Sequence, residues 1–201
     1  MESSSYECAY CGGIEATTDD HIPPKSFFVD PHKINLPTVK ACRKCHNKGT
    51  SLDDECFRDV ILKYHIVSEK PQVRPLLDKM FRAATLPKKR KYAESILRSF
   101  TEAEVTTFSG LILGKRPAFK FDRKRIERAA IRYIKGLHRY VFNERVPDDA
   151  EVRVVINPEA MWEQKSKVID AFRSGKIQVI QDKIFAFKFG RIIENPKAGG
   201  C

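Results

Sequence analysis

The chain has no apolar run long enough to cross a bilayer, which excludes a helical membrane-spanning protein. Its opening, Met-Glu-Ser-Ser-Ser-Tyr-Glu-Cys, has neither the basic start nor the apolar stretch of a secretory signal, so the expected compartment is the cytoplasm. Internal repeats are also missing. What is present is ordinary for a globular protein: 201 residues, of which 42% are apolar and 31% charged, enough to bury a real core. That length allows one domain or a small domain joined to a medium one, and the charge distribution favours the second.

The formal net charge is +11. Residues 1–67 carry 8 Lys and Arg against 10 Asp and Glu, whereas residues 68–201 carry 29 against 16, so the whole excess lies in the second part. A basic surface attracts polyanions because each phosphate neutralised by Lys or Arg releases a condensed counterion. The expected division is therefore a small N-terminal module over 1–67 and a basic α+β domain over 68–201 that binds nucleic acid. The plainer alternative is that the charge serves solubility.

Four of the six cysteines form two tight pairs, Cys8-x-x-Cys11 and Cys42-x-x-Cys45, with thirty residues between them. Each such pair turns the backbone so that two thiolates face one point, and two pairs together suit tetrahedral Zn²⁺. With all four positions filled by cysteine no water position remains, so the expected zinc is structural. A redox pair or disulfides are the alternatives. Cys56 falls in an expected helix as a small core residue, and Cys201, the last residue, is assigned no role.

Thr17–Asp20 and Leu36–Ala41 read as two strands separated by a Pro-containing loop. A helical turn over Arg43–Lys48 follows, then a helix capped by Thr50 or Ser51 and running to about Tyr64, with Leu52, Cys56, Val60 and Tyr64 as its apolar stripe. Helices are expected from Pro71 to Thr85 and from Lys88 to Phe100, parted by Pro87. Strand-like stretches lie at Glu104–Phe108 and Ala118–Phe121. A long amphipathic helix should span Asp122–Phe142, with Ile126, Ala130, Tyr133, Ile134, Leu137 and Val141 inward. Arg128, Arg132, Lys135 and Arg139 recur at steps of four, three and four, forming a basic ridge that can track phosphates, although a solvated face would look the same. A strand at Glu151–Ile156, a helix from Asn157 to Arg173 and a hairpin of Ile177–Ile180 with Ile184–Phe189 complete the reading, before a Pro- and Gly-rich tail from Asn195.

Beside the cysteine knuckles stand Asp20-His21, Asn35 and His46. The runs Thr17-Thr18-Asp19-Asp20-His21-Ile22-Pro23-Pro24-Lys25-Ser26 and Asn35-Leu36-Pro37-Thr38-Val39-Lys40-Ala41-Cys42-Arg43-Lys44-Cys45-His46 resemble the HNH endonucleases. The resemblance covers about Cys8 to Phe57, roughly a quarter of the chain. It implies a zinc-bound, treble-clef-like ββα-metal module, in which a strand bearing Asp-His, a loop with Asn and a helix bearing His surround one catalytic ion. Carried across, His21 is the general base, a role for which an imidazole with an ordinary pKa near 6.5 is suited. Asp20 and His46 hold a divalent ion that stabilises the leaving oxygen. Asn35 braces the loop and orients the base. A carboxylate with an imidazole accepts Mg²⁺ or Mn²⁺, and also Ni²⁺ or Zn²⁺. Lys25 and Lys48 are candidate phosphate contacts. The resemblance thus implies metal-dependent hydrolysis of DNA, with RNA still open, giving a 5′ phosphate and a 3′ hydroxyl. The competing expectation is a zinc-ribbon protein that binds nucleic acid without cutting it.

Overall fold

A computed structural model of the chain describes residues 6–47, 50–68, 74–87, 90–107, 109–152, 154, 175–181 and 185–189. Helices and strands are mixed in α+β fashion, and the strands form three separate antiparallel pairs. Among the described residues no helix is long and apolar enough to cross a membrane.

The backbone divides into two compact units, Met1–Val152 and Arg153–Cys201. The division falls well beyond residue 67, where the charge distribution put it. The reason is the long helix: it carries much of the basic excess, yet it packs against a helix of the first 67 residues.

The first unit opens with a knuckle over residues 6–16, closed by an isolated bridge between Tyr6 and Ala16. The Cys8 amide donates to the Gly13 carbonyl and the Gly12 amide to the Cys8 carbonyl, a turn that needs Gly12 at φ 73°. Strand β1 (Thr18–His21) then pairs antiparallel with β2 (Thr38–Ala41), setting Asp20 opposite Val39 and His21 opposite Thr38. The loop between them coils through two 3₁₀ turns, Lys25–Phe27 and Pro31–Lys33, and buries Phe27 and Phe28. Helix α1 (Arg43–Asn47) and helix α2 (Thr50–Ser68) follow the hairpin. The Thr50 hydroxyl donates to the His46 carbonyl and ties the two helices together, so this residue acts backward on α1.

In α2 the inward face is displaced from the expected one. Leu52 is 55% exposed, Cys56 and Val60 are half-buried, and the buried positions are Asp53, Leu62 and Lys63. The side chain of Tyr64 lies outside the described residues. Arginines on the opposing helix draw Asp53 inside, a tertiary charge effect that no apolar periodicity can report. Helices α3 (Arg74–Ala84) and α4 (Arg90–Ser99) lie where the sequence places helices. Ile96 of α4 packs on Leu62 with Leu77, Tyr92 and Phe100 around them.

Strands β3 (Phe100–Thr106) and β4 (Ile112–Phe119) form one long hairpin where two short stretches were expected. Pro117 and Gly114 within β4 disguised it, and both strands are largely exposed, so neither face shows apolar alternation.

Helix α5 (Arg123–Phe142) matches its expected span, with the Asp122 side chain accepting from the Arg125 amide as the N-cap and Asn143 ending it in the left-handed region. Its buried stripe is Ile126, Ala129, Tyr133 and Gly136, while Ile134 is exposed. The helix is thus rotated toward its arginines. Tyr133 meets Phe27 and Phe57 edge-on, at ring distances of 6.1 and 5.3 Å, locking loop, α2 and α5 together.

A glycine inside a helix ordinarily costs about 1 kcal/mol relative to alanine. Gly136 is explained by close approach: a Cβ there would stand 2.0 Å from Ile22 Cδ1 and 3.1 Å from the Tyr10 hydroxyl. Ile22 is fully buried and has nowhere to go. We expect Gly136→Val to destabilise the protein by about 1–3 kcal/mol through overpacking, read as a lower midpoint in urea with unchanged slope. A neutral result would mean that Ile22 can repack.

In the second unit the described elements are β5 (Lys176–Gln181) and β6 (Phe185–Phe189), paired antiparallel as the terminal hairpin was expected to be. The expected helix Asn157–Arg173 and the tail from Asn195 lie outside the described residues, as does half of the expected strand Glu151–Ile156, whose described residues Glu151, Val152 and Val154 are not in a strand.

Candidate metal centre and its carboxylate–imidazole neighbour

The knuckle, the end of β2 and the start of α1 converge on one point. The Sγ atoms of Cys8, Cys11, Cys42 and Cys45 all lie within 4.8 Å of one another, and none is in a disulfide. Cys11 Sγ and Cys42 Sγ are 3.8 Å apart. Four thiolates about 2.3 Å from a common ion stand about 3.8 Å apart along each edge, so the group can hold one structural metal ion such as zinc. Cys8 is buried, Cys42 and Cys45 are half-buried, and Cys11 is exposed. The Cys42 amide donates to Cys8 Sγ at 3.3 Å, and such N–H donors stabilise a thiolate. The Cys45 backbone N–H pulls the Cys42 thiol down to about 7, whereas burial pushes Cys45 up. A bound cation would offset the second effect, because a coordinating thiol is deprotonated outright.

One residue beyond Cys45, His46 faces the carboxylate of Asp20. Asp20 is 5% exposed, and its Oδ1 lies 3.6 Å from His46 Nε2. That exceeds a hydrogen bond. Two ligand atoms each about 2.1 Å from one ion are separated by about 3.0 Å at a right angle and about 3.6 Å at a wider one. His46 Nδ1 is buried without a hydrogen-bond partner. The unpartnered nitrogen is thus the one that does not face Asp20, and the pair itself offers one oxygen and one nitrogen 3.6 Å apart.

His21, next along β1, is half-buried, and its pKa is lowered by burial and then by the charge of Lys25. Lys25 is an exposed residue of the first 3₁₀ turn. The expected brace is not formed: Asn35 is exposed in the loop before β2, and its side chain makes no hydrogen bond among the described residues. Lys48 lies outside the described residues.

The arginines of the α5 ridge, expected as a track for phosphates, each meet a carboxylate. Arg128 makes two hydrogen bonds to Asp53, at 2.9 and 2.8 Å, and Arg125 adds a third at 3.2 Å. Arg132 is half-buried and bonded to Asp20 and Asp54. Arg139 reaches Glu7 at 3.2 Å. Arg132, expected as a phosphate contact, is thus engaged by two carboxylates of the first 54 residues. Lys135, with Lys44 and the three arginines 125, 128 and 132, lines a cleft of about 680 Å³ that also holds Tyr10 and Asp53. The cleft is strongly cationic.

Hydrogen bonds from Arg128 hold the Asp53 carboxyl below the usual carboxylate range. A depressed folded-state pKa contributes stability above the unfolded value, near 3.9, and that contribution is lost as pH falls through the folded value. Asp53→Asn is expected to lower the melting temperature at pH 7, with the gap to wild type closing at pH values below the ordinary carboxylate range. A gap that persists unchanged in acid would assign the effect to packing.

Sequence reasoning missed Tyr10, Asp53, Asp54 and Arg125. The available signal was complementary charge: Asp53-Asp54 opens one helix, and arginines recur at helical spacing on another. No known family, curated protein or solved structure matches this chain.

Proposed function

We propose that the chain is a metal-dependent nuclease of the HNH type that hydrolyses phosphodiester bonds in DNA. The observation that carries this reading is the juxtaposition of Asp20 Oδ1 and His46 Nε2, 3.6 Å apart, beside the half-buried His21 and at the rim of the four-cysteine group. Hairpin, loop and helix then correspond to a zinc-stabilised ββα module.

Burial keeps the His21 ring neutral near pH 7, leaving a nitrogen lone pair to take a proton from an attacking water. Lys25, near that ring, attracts the phosphate toward it. Asp20 and His46 would hold Mg²⁺, Mn²⁺ or Ni²⁺, and such an ion supplies charge stabilisation at the leaving oxygen of a phosphodiester. The cationic cleft supports a polyanionic substrate.

The test is supercoiled plasmid incubated with purified protein in EDTA or in Mg²⁺, Mn²⁺ or Ni²⁺, with an RNA substrate in parallel. Nicking that requires added metal and is absent in His21→Ala supports the nuclease. Plasmid and RNA left intact under every metal, with salt-dependent binding retained, would replace it by a non-catalytic nucleic-acid-binding protein.

A further inference from the structure

Asp20 uses its two oxygens differently. Oδ1 faces His46, while Oδ2 accepts from the Tyr10 hydroxyl at 2.6 Å and from Arg132 Nη1 at 3.3 Å. The two donors come from separate elements: Tyr10 from the knuckle between Cys8 and Cys11, and Arg132 from the middle of α5.

We infer that Tyr10 and Arg132 are positioning residues that clamp Oδ2 of Asp20, so that Oδ1 alone is presented with His46 to a divalent cation. This rests on the nuclease reading of the same site. A carboxylate on a strand can rotate about χ2, and it then offers one oxygen, both, or neither. Two donors fixed on one oxygen remove that freedom before any ion arrives. Outer-shell partners of this kind orient ligands and tune the site.

A guanidinium beside a metal ligand ought to repel the cation. Here the repulsion is offset on the far side of Arg132, whose Nη2 donates to Asp54, a carboxylate that also accepts from the Tyr133 hydroxyl. The chain of bonds from Tyr10 through Asp20, Arg132 and Asp54 to Tyr133 is thus charge-compensated around the arginine. Arg132 reaches Asp20 from a segment more than a hundred residues away in sequence.

The test measures Mn²⁺ binding to the full-length, zinc-loaded protein, by the loss of the free aqueous Mn²⁺ electron paramagnetic resonance signal, for wild type, Asp20→Asn, Tyr10→Phe, Arg132→Gln and Arg132→Lys. Tyr10→Phe keeps the ring and removes only the hydroxyl. The expected result is Mn²⁺ binding weakened about tenfold or more in Tyr10→Phe and Arg132→Gln, with partial recovery in Arg132→Lys and a melting temperature in Tyr10→Phe close to wild type. If Asp20→Asn loses Mn²⁺ while Tyr10→Phe and Arg132→Gln bind it as wild type does, the clamp is wrong and the metal site stands. If wild type and Asp20→Asn bind Mn²⁺ alike, the metal site falls and takes the clamp with it.

Discussion

Serine in place of Cys42 is expected to reduce bound zinc from one equivalent per chain to a small fraction and to unfold the N-terminal knuckle and hairpin. Apart from its thiolates the knuckle buries little, although the hairpin loop is also packed against α5 through Phe27. The buried residues of the knuckle are Cys8, Ala16 and Ala41, with Tyr10, Cys42 and Cys45 partly buried against them. At about 25 cal/mol per Å² of apolar area, two alanines contribute very little. Each strand of the hairpin is four residues long, and an isolated two-stranded ribbon is marginal in water. Structural zinc sites typically supply roughly 10–16 kcal/mol of binding, comparable with the whole stability of a domain. Metal content by mass spectrometry and a melting curve with and without a strong chelator check the expectation. A chelated protein that kept both the melting temperature of the zinc-loaded protein and its β1–β2 amide protection would show that the cysteines are not structural ligands. Cys56 serves as the internal control: it is half-buried, burial raises its thiol pKa, its hydrogen bond goes to the Asp122 carbonyl and it is not part of the four-cysteine group, so Cys56→Ser should leave zinc content unchanged.

The cysteine group was legible in sequence because four thiols in two x-x spacings constrain geometry locally, and β1–β2 was legible because its boundaries are local. The face of α2 was not. Asp53 sits where apolar periodicity places solvent, held there by Arg125 and Arg128 some seventy residues away. The same physics bears on α5, whose arginines form a ridge in sequence and pair with carboxylates of the first 54 residues. Charge spacing on one helix specifies which residues share a face, and only the opposing element decides whether that face meets protein or phosphate. The β3–β4 hairpin was read as two shorter strands for a different reason: a ribbon largely exposed on both sides leaves little hydrophobic signature to mark its ends.

The internal ion pairs also change what the positive charge can do. Arg128 and Arg132 are engaged by carboxylates, which leaves Lys44 and Lys135 at the cleft and Lys25 beside His21 as the cations more available to a phosphate backbone. Binding that depends on few such contacts should fall off less steeply with salt than the net charge of +11 suggests.

Within the nuclease reading, His21→Ala should produce the second large effect, a loss of about 10²- to 10⁴-fold in cleavage rate, the usual contribution of a positioned general base. Plasmid binding should be retained, since His21 is half-buried and neutral. Asp20→Asn and His46→Ala should also cut slowly, but for a different reason, and the difference is measurable. Each of those variants removes one proposed ligand, so their rates should recover in part as Mn²⁺ is raised, because a weakened site fills by mass action. His21→Ala should show no such recovery at any metal concentration, because the proton acceptor is gone whether or not the ion is bound. If instead His21→Ala recovers with Mn²⁺ and Asp20→Asn does not, the roles of the two neighbours on β1 are exchanged: the imidazole would be the ligand, and the carboxylate clamped by Tyr10 and Arg132 would be the base.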